Sequence, residues 1–217
     1  MLAGLTACGP LYENNAAAQI VGGVFDRSLG SVGIGDSTVQ VDSAATEQPT
    51  ALTRETIEGF DTPLLRISVI SREATGIVFW AGENGSKVTW VTEDALSFTF
   101  DDGLAVATRG LGDDLMGSDV SAAKRSFSAG GSHLRTLDFL NSLAQIERQT
   151  YQCQTVQTGR ETITIFERSY ATTVFDETCI GENGDFKNTY WRDANGVIWQ
   201  SRQWISAGVG YIGYQRL

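Results

Sequence analysis

From about Thr50 onward, apolar and polar residues alternate along most of the chain, the pattern of strands that bury one face. Residues 64–71, Leu-Leu-Arg-Ile-Ser-Val-Ile-Ser, predict a half-buried strand after their first two positions. Residues 76–81 and 87–92 flank Glu83-Asn84-Gly85, and residues 96–100 and 104–108 flank Asp101-Asp102-Gly103. Residues 189–192 and 197–200 flank Asp193-Ala194-Asn195-Gly196. Asn-Gly and Asp-Gly steps supply the positive φ that tight loops require, so each of these stretches reads as an antiparallel hairpin.

Two places depart from that rhythm. Residues 53–58, Thr-Arg-Glu-Thr-Ile-Glu, carry a capping threonine with acids behind it and predict one short helix. Residues 134–146 fit a helical period through Leu134, Leu137, Leu140 or Leu143, and Ile146 about as well as two strands broken at Asn141-Ser142. After them, residues 149–157, 161–167 and 170–179 read as three strands, joined at Thr158-Gly159-Arg160 and by a tight bend near Arg168. The sum is an all-β fold: an antiparallel meander forming a β-sandwich or closed barrel, with at most one or two short helices.

Upstream, residues 9–49 are rich in Ala, Gly, Ser, Asn and Asp with few apolar groups, the composition of a tether. The chain therefore divides into residues 1–7, residues 8–49 as tether, and one all-β domain over residues 50–217. With 217 residues, 41% of them hydrophobic, it has enough apolar side chains for a sizeable core. No apolar run reaches the eighteen or so residues that a membrane-spanning helix needs. A net charge of −10 without a basic cluster excludes nucleic acid as a partner.

The three cysteines refine the compartment. Cys153 and Cys179 stand 26 positions apart, belong to no CxxC pair, and have only His133 as a histidine nearby or anywhere else. A zinc site lacks ligands, no cofactor or metal is implied, and a disulfide in an oxidising compartment is the better reading over two buried free thiols. Cys8 is then the odd one: a free surface thiol, one end of a disulfide, or a lipid attachment point. Its context, Leu5-Thr6-Ala7-Cys8-Gly9, resembles the bacterial lipobox, with residues 1–7 as the end of a signal peptide whose basic start is missing. Lipidation of Cys8 would supply the several acyl chains that stable anchoring takes. Gly9 in place of an aspartate points to the outer membrane in enteric-type sorting.

The residues also match a known pattern. Residues 80–116, above all Gly85 to Trp90, Asp102-Gly103 and Thr108-Arg109-Gly110-Leu111-Gly112-Asp113-Asp114-Leu115, resemble the YjbF family of lipoproteins, related to the group 4 capsule lipoproteins GfcB/YmcC. Cys153, Gly159-Arg160-Glu161, Cys179, Asn188 to Trp191 and Trp199 to Ile205 extend the resemblance over roughly residues 50–217. It implies an outer-membrane lipoprotein of antiparallel β fold, accessory to exopolysaccharide or capsule production, and it carries no catalytic residues. It also tips residues 134–146 toward strands. Its expected partners are the outer membrane through the lipid on Cys8, and exopolysaccharide or other envelope export proteins.

The alternative is a periplasmic glycan-processing enzyme. His133 stands alone without a GxSxG elbow. Carboxylate pairs for sugar hydrolysis would have to come from Glu58, Asp101, Asp102, Asp113, Asp114 or Asp176. Asp101-Asp102 is accounted for by its turn, and Asp113-Asp114 by a solvated bend able to hold a cation weakly. Binding has the better physical candidates in Trp80, Trp90, Trp191, Trp199 and Trp204, whose flat rings stack on sugar faces. Core packing competes for the same residues, and Trp199 and Trp204 fall on opposite sides of a regular strand.

Overall fold

A computed structural model describes residues 52–217; Cys8, residues 1–7 and the tether over residues 8–49 lie outside the described residues. Helix α1 (Arg54–Glu58) comes first, followed by β1 (Leu64–Val69), β2 (Ala74–Asn84), β3 (Lys87–Val91), β4 (Ser97–Asp101), β5 (Leu104–Arg109) and β6 (Gly117–Asp119). Helix α2 (Ser121–Ala129) then leads into β7 (Gly131–Leu140), β8 (Ile146–Ile165), β9 (Arg168–Ile180), β10 (Phe186–Arg192), β11 (Ile198–Ser206) and β12 (Gly210–Arg216). All twelve strands form one sheet in the order β5-β4-β3-β2-β1-β12-β11-β10-β9-β8-β7-β6, curled into a nearly closed barrel. The chain thus meanders outward from β1 to one edge, returns through β6 at the other, and ends by placing β12 against β1.

The loop over residues 110–116 joins the two edges. Thr108 N on β5 donates to the Leu115 carbonyl at 2.9 Å, and Met116 N donates to Asp138 on β7 at 2.8 Å. Asp114 holds the loop in shape, its carboxylate accepting from Thr108 Oγ1 at 2.8 Å, Gly110 N at 2.8 Å and Leu111 N at 3.1 Å. Gly110, at φ 89°, sits where an added Cβ would come within 2.7 Å of Leu96 Cδ2. Leu111 and Leu115 bury their side chains in the core while Asp113 accepts from Gly208 N at 2.9 Å. The Gly-Leu-Gly-Asp-Asp-Leu run, read as a solvated bend, is the clasp of the barrel, and both its carboxylates are occupied by backbone donors.

A second tie crosses the interior. Buried Gln203 on β11 accepts from Ala105 N and donates to the Gly103 carbonyl, both at 2.8 Å, so a single amide pins β5 to β11. Its polar atoms are thereby paired, which is what burial of an amide demands. Around it the core continues through Ile67, Val78, Phe98, Leu104, Ile205 and Ile212.

Residues 134–146 are strands, as the resemblance implies, with Asn141 Oδ1 accepting from Leu143 N and Gln145 N in the turn. Two expectations need correction. The three strands expected over residues 149–179 are two, because β8 runs unbroken to Ile165 and absorbs Thr158 as a bulge between Gln157 and Gly159. The bend expected near Arg168 is in place at Phe166 and Glu167, both at positive φ (43° and 68°) without a glycine or asparagine. Arg54 compensates by donating to the carbonyls of Phe166 at 2.9 Å and Ile165 at 2.7 Å, which ties α1 to the turn. The β2–β3 loop is Gly85-Ser86, one residue later than the Asn-Gly step suggests, since Asn84 pairs with Lys87.

Helix α2 was not expected. Its Ala-Ala-Lys-Arg start favours helix, Asp119 Oδ1 accepts from Ser121 N at 2.9 Å, and Gly130 ends it at φ 65°. It packs against β7 and β8 at the barrel end, driving Phe127 between Phe175 and Tyr190 at ring separations of 5.3 and 5.1 Å. Asp114→Ala leaves the N–H groups of Gly110 and Leu111 without their acceptor and should cost about 2 kcal/mol. Urea denaturation measures it; an unchanged midpoint would mean that the clasp carries no stability.

Candidate functional site

Hairpins β2–β3 and β4–β5, the β10–β11 loop and helix α2 meet around a cleft of about 590 Å³ at the barrel mouth. Inward-facing positions of a strand line the interior until the strand leaves the barrel, and β2 shows the transition: Val78 is buried, and Trp80, on the same face, is 40% exposed at the rim. Trp90 lies directly across from Trp80 on β3 but is buried, only 8% exposed. With Phe100, Phe127 and Tyr214 it makes an aromatic floor, in which Phe100 and Tyr214 meet edge to face at 4.8 Å. Burial pushes the Tyr214 hydroxyl up to about 12, so this floor is uncharged.

Charged groups ring the floor. Lys124 of α2 pairs with Asp101 at 2.6 Å and also with Asp102 in the β4–β5 turn. Partial burial opposes the charge on Lys124, and its bonds to both carboxylates outweigh that and hold it protonated. Burial also works against Asp101, whose carboxyl is nonetheless held below the usual range by Lys124 and Ser86. Arg192 and Arg216 complete the ring. Arg192 spends Nε on the Gly196 carbonyl at 3.1 Å, and its Cζ stands 5.8 Å from the Phe127 ring; Arg216 Cζ stands 5.9 Å from the Trp199 ring. Neither arginine has a carboxylate within ion-pair distance among the described residues.

The five tryptophans are distributed, not gathered. Trp80 and Trp90 line the cleft. Trp191 donates its indole N–H to Glu161 on the long β8–β9 hairpin at 2.7 Å. Trp199 donates to Asp193 at 3.0 Å and stacks one face on Tyr170 at 3.8 Å. Trp204 packs into a cluster with Phe139, Tyr151 and Phe186, stacked on Phe186 at 4.7 Å, beside a smaller cavity of about 310 Å³. Lys124, Arg192 and Arg216 escaped the sequence reading, since nothing in their local pattern marks a residue that the barrel brings to its mouth.

The carboxylates weighed for hydrolysis are dispersed as well. Glu58 pairs with Arg168 at 2.9 Å, and Asp176 with Lys187 at 2.7 Å. Asp113 and Asp114 serve the clasp, and of the six only Asp102 lines the cleft, where Glu83 joins it.

Inside the barrel, β7, β9 and β10 assemble a buried charge cluster behind the Cys153–Cys179 bond, whose sulfurs are joined across neighbouring strands. Glu177 accepts from Arg135 at 2.7 Å, Asn188 at 2.8 Å and Tyr190 at 3.0 Å, and its other oxygen meets His133 Nε2 at 2.8 Å. Desolvation works against the Glu177 charge; Arg135 and the donors from His133 and Asn188 overcome it and draw the carboxyl down to about 2. His133, Cys153 and Glu177 place ligand atoms within 4.8 Å of one another. The Cys153 sulfur is committed to the disulfide and Glu177 to four partners, so the donor set does not fit a metal. His133 therefore belongs to an internal ion network and has no serine nucleophile among its hydrogen-bond partners.

With this geometry in view, the comparisons define a class of envelope lipoprotein. Residues 24–217 match the family model described as group 4 capsule polysaccharide lipoprotein gfcB, YjbF. The chain belongs to that family, which begins well inside the stretch read as tether. The crystal structure of the hypothetical lipoprotein YmcC from Escherichia coli (K12) shares the fold at a TM-score of 0.65 and 19% identity, covering 75% of this chain and 87% of that one. No curated protein matches the sequence.

A depressed folded-state pKa stabilises above the unfolded value and loses that contribution as pH falls toward the folded one. For Glu177, between its ordinary 4.5 and about 2, this amounts to about 3 kcal/mol. The unfolding free energy of the wild type should fall more steeply from about pH 5 to about pH 2 than that of Glu177→Gln, which should already be destabilised by about 3 kcal/mol at neutral pH through the stranded Arg135. Parallel pH profiles for the two proteins would remove Glu177 from the account.

Proposed function

We propose that the chain is an outer-membrane lipoprotein, anchored through a lipid on Cys8 and facing the periplasm, that acts as a non-enzymatic accessory in exopolysaccharide or capsule production, assembly or export. The observation that carries this reading is membership of the capsule polysaccharide lipoprotein family over residues 24–217. The lipobox around Cys8 and the disulfide, which suits an oxidising compartment, support the anchoring. The cleft supports binding over hydrolysis: Asp102 is engaged by Lys124, and Asp101, the adjacent carboxyl, is held ionised, the opposite of a proton donor. An aromatic floor under a polar rim suits recognition of a sugar chain.

The test is intact mass and membrane fractionation of the chain beside a Cys8→Ser variant, both expressed behind a complete lipoprotein signal. The wild type should carry a diacylglyceryl group plus an acyl chain and sediment with the outer membrane, and the variant should be soluble. An unmodified Cys8 in the wild type would remove the anchoring; release of new reducing ends from exopolysaccharide by the purified protein would make it an enzyme instead.

A further inference from the structure

The chemistry of the mouth narrows what it can hold. The chain carries a net charge of −10, so a site for a neutral or cationic ligand would need no special provision of positive charge. The mouth nevertheless presents Arg192 and Arg216, which have no carboxylate partner among the described residues. Lys124 differs from them, being neutralised by Asp101 and Asp102. Each arginine is held near an aromatic ring, Arg192 by Phe127 and Arg216 by Trp199, at 5.8 and 5.9 Å. These distances lie at the outer limit of a cation–π contact, so the rings flank the guanidiniums without occupying their donors, and with Arg192 Nε held by Gly196 the terminal amino groups are left to face a carboxylate. The β10–β11 loop that carries Arg192 is itself fixed, because Asp193 accepts from Asn195 N and Val197 N at 2.9 Å each. Trp80, 40% exposed on the same rim, supplies an apolar face of the size of a sugar ring.

Aromatic face and uncompensated forks together match a polymer that alternates apolar sugar faces with carboxylates. Resting on the reading above, we propose that the barrel mouth binds a segment of an acidic, carboxylate-bearing polysaccharide, with a sugar ring against Trp80 and carboxylates on Arg192 and Arg216. Glu83 and Asp102 on the same rim repel carboxylates that approach in another register and so help to set the frame of the chain.

The experiment is isothermal titration of the full chain carrying Cys8→Ser with hexagalacturonate and, separately, with maltohexaose as a neutral chain of equal length. Hexagalacturonate should bind at least about tenfold more tightly, with an affinity that falls as salt rises. The double variant Arg192→Gln/Arg216→Gln should lose about tenfold or more for hexagalacturonate and nothing for maltohexaose, while Arg192→Lys/Arg216→Lys, which keeps the charge without the fork, should fall between. Trp80→Ala should weaken hexagalacturonate binding about threefold to tenfold. Circular dichroism of each variant checks that it is folded, and if the glutamine pair is not, the lysine pair and Trp80→Ala carry the test.

Equal affinity for the two hexasaccharides, no hexagalacturonate binding at millimolar concentration, or indifference to the folded variants would overturn the proposal. Those failures leave the anchoring and the accessory role standing, because lipidation of Cys8 is read separately. Conversely, an unlipidated Cys8 with intact hexagalacturonate binding would sink the anchoring and leave the cleft.

Discussion

Closure of the sheet is the constraint on which the other features rest. A twelve-stranded antiparallel meander leaves β5 and β6 as edges, and an open edge is a template for pairing with other chains. Here the 110–116 loop draws the edges together by bonding Thr108 N of β5 through Leu115 and the Asp138 carbonyl of β7 through Met116, with the Asp114 carboxylate holding the loop in shape. Because β5 is pulled inward, Gln203 can reach its backbone across the interior, and the β4–β5 turn comes to lie against Ile198 and Lys124. The mouth therefore has its shape only while the edges are joined.

The interior is stabilised differently at its two ends. Near Trp204 it is a conventional aromatic cluster. Behind the disulfide it holds an ion network centred on Glu177, whose burial is costly and is offset by the four partners of that carboxylate, while His133 Nδ1 and Arg135 Nε have no hydrogen-bond partner among the described residues. The covalent bond closes a loop that the chain-entropy argument values at about 3 to 4 kcal/mol, and it fixes β8 against β9 where that network must keep its distances. Phe127, inserted between Phe175 and Tyr190, links this network to the floor of the mouth, so packing of helix α2 and order in the cleft are coupled.

What the sequence made legible followed from local rules. Asp102-Gly103 and Gly196 need positive φ and mark their turns, the Thr53 cap marks α1, and alternation marks the strands. The bend expected near Arg168 was legible in place but not in mechanism, since the positive φ of Phe166 and Glu167 is sustained by Arg54, more than a hundred positions away, and not by a glycine. Helix α2 was hidden because only its Ala-rich start and Gly130 announce it, within a chain whose alternation favours strands. At the candidate site, Trp80 and Trp90 were singled out for their chemistry, whereas Lys124, Arg192 and Arg216 meet only through closure, which no local pattern encodes. The family resemblance included the Gly-Leu-Gly-Asp-Asp-Leu run, whose structural role is the clasp, together with Gly85 to Trp90 and Asp102-Gly103, part of which line the mouth.

Amide hydrogen exchange across residues 108–116 tests the joined edges most directly, because Thr108 N and Met116 N are protected only if the clasp is shut. The account predicts that these two amides exchange as slowly as those of β11 and β12, in the same cooperative class as global unfolding. Exchange as fast as that of the β7–β8 turn over residues 142–145 would mean that the edges stand apart, and the mouth, the Gln203 tie and the cleft would lose their common foundation.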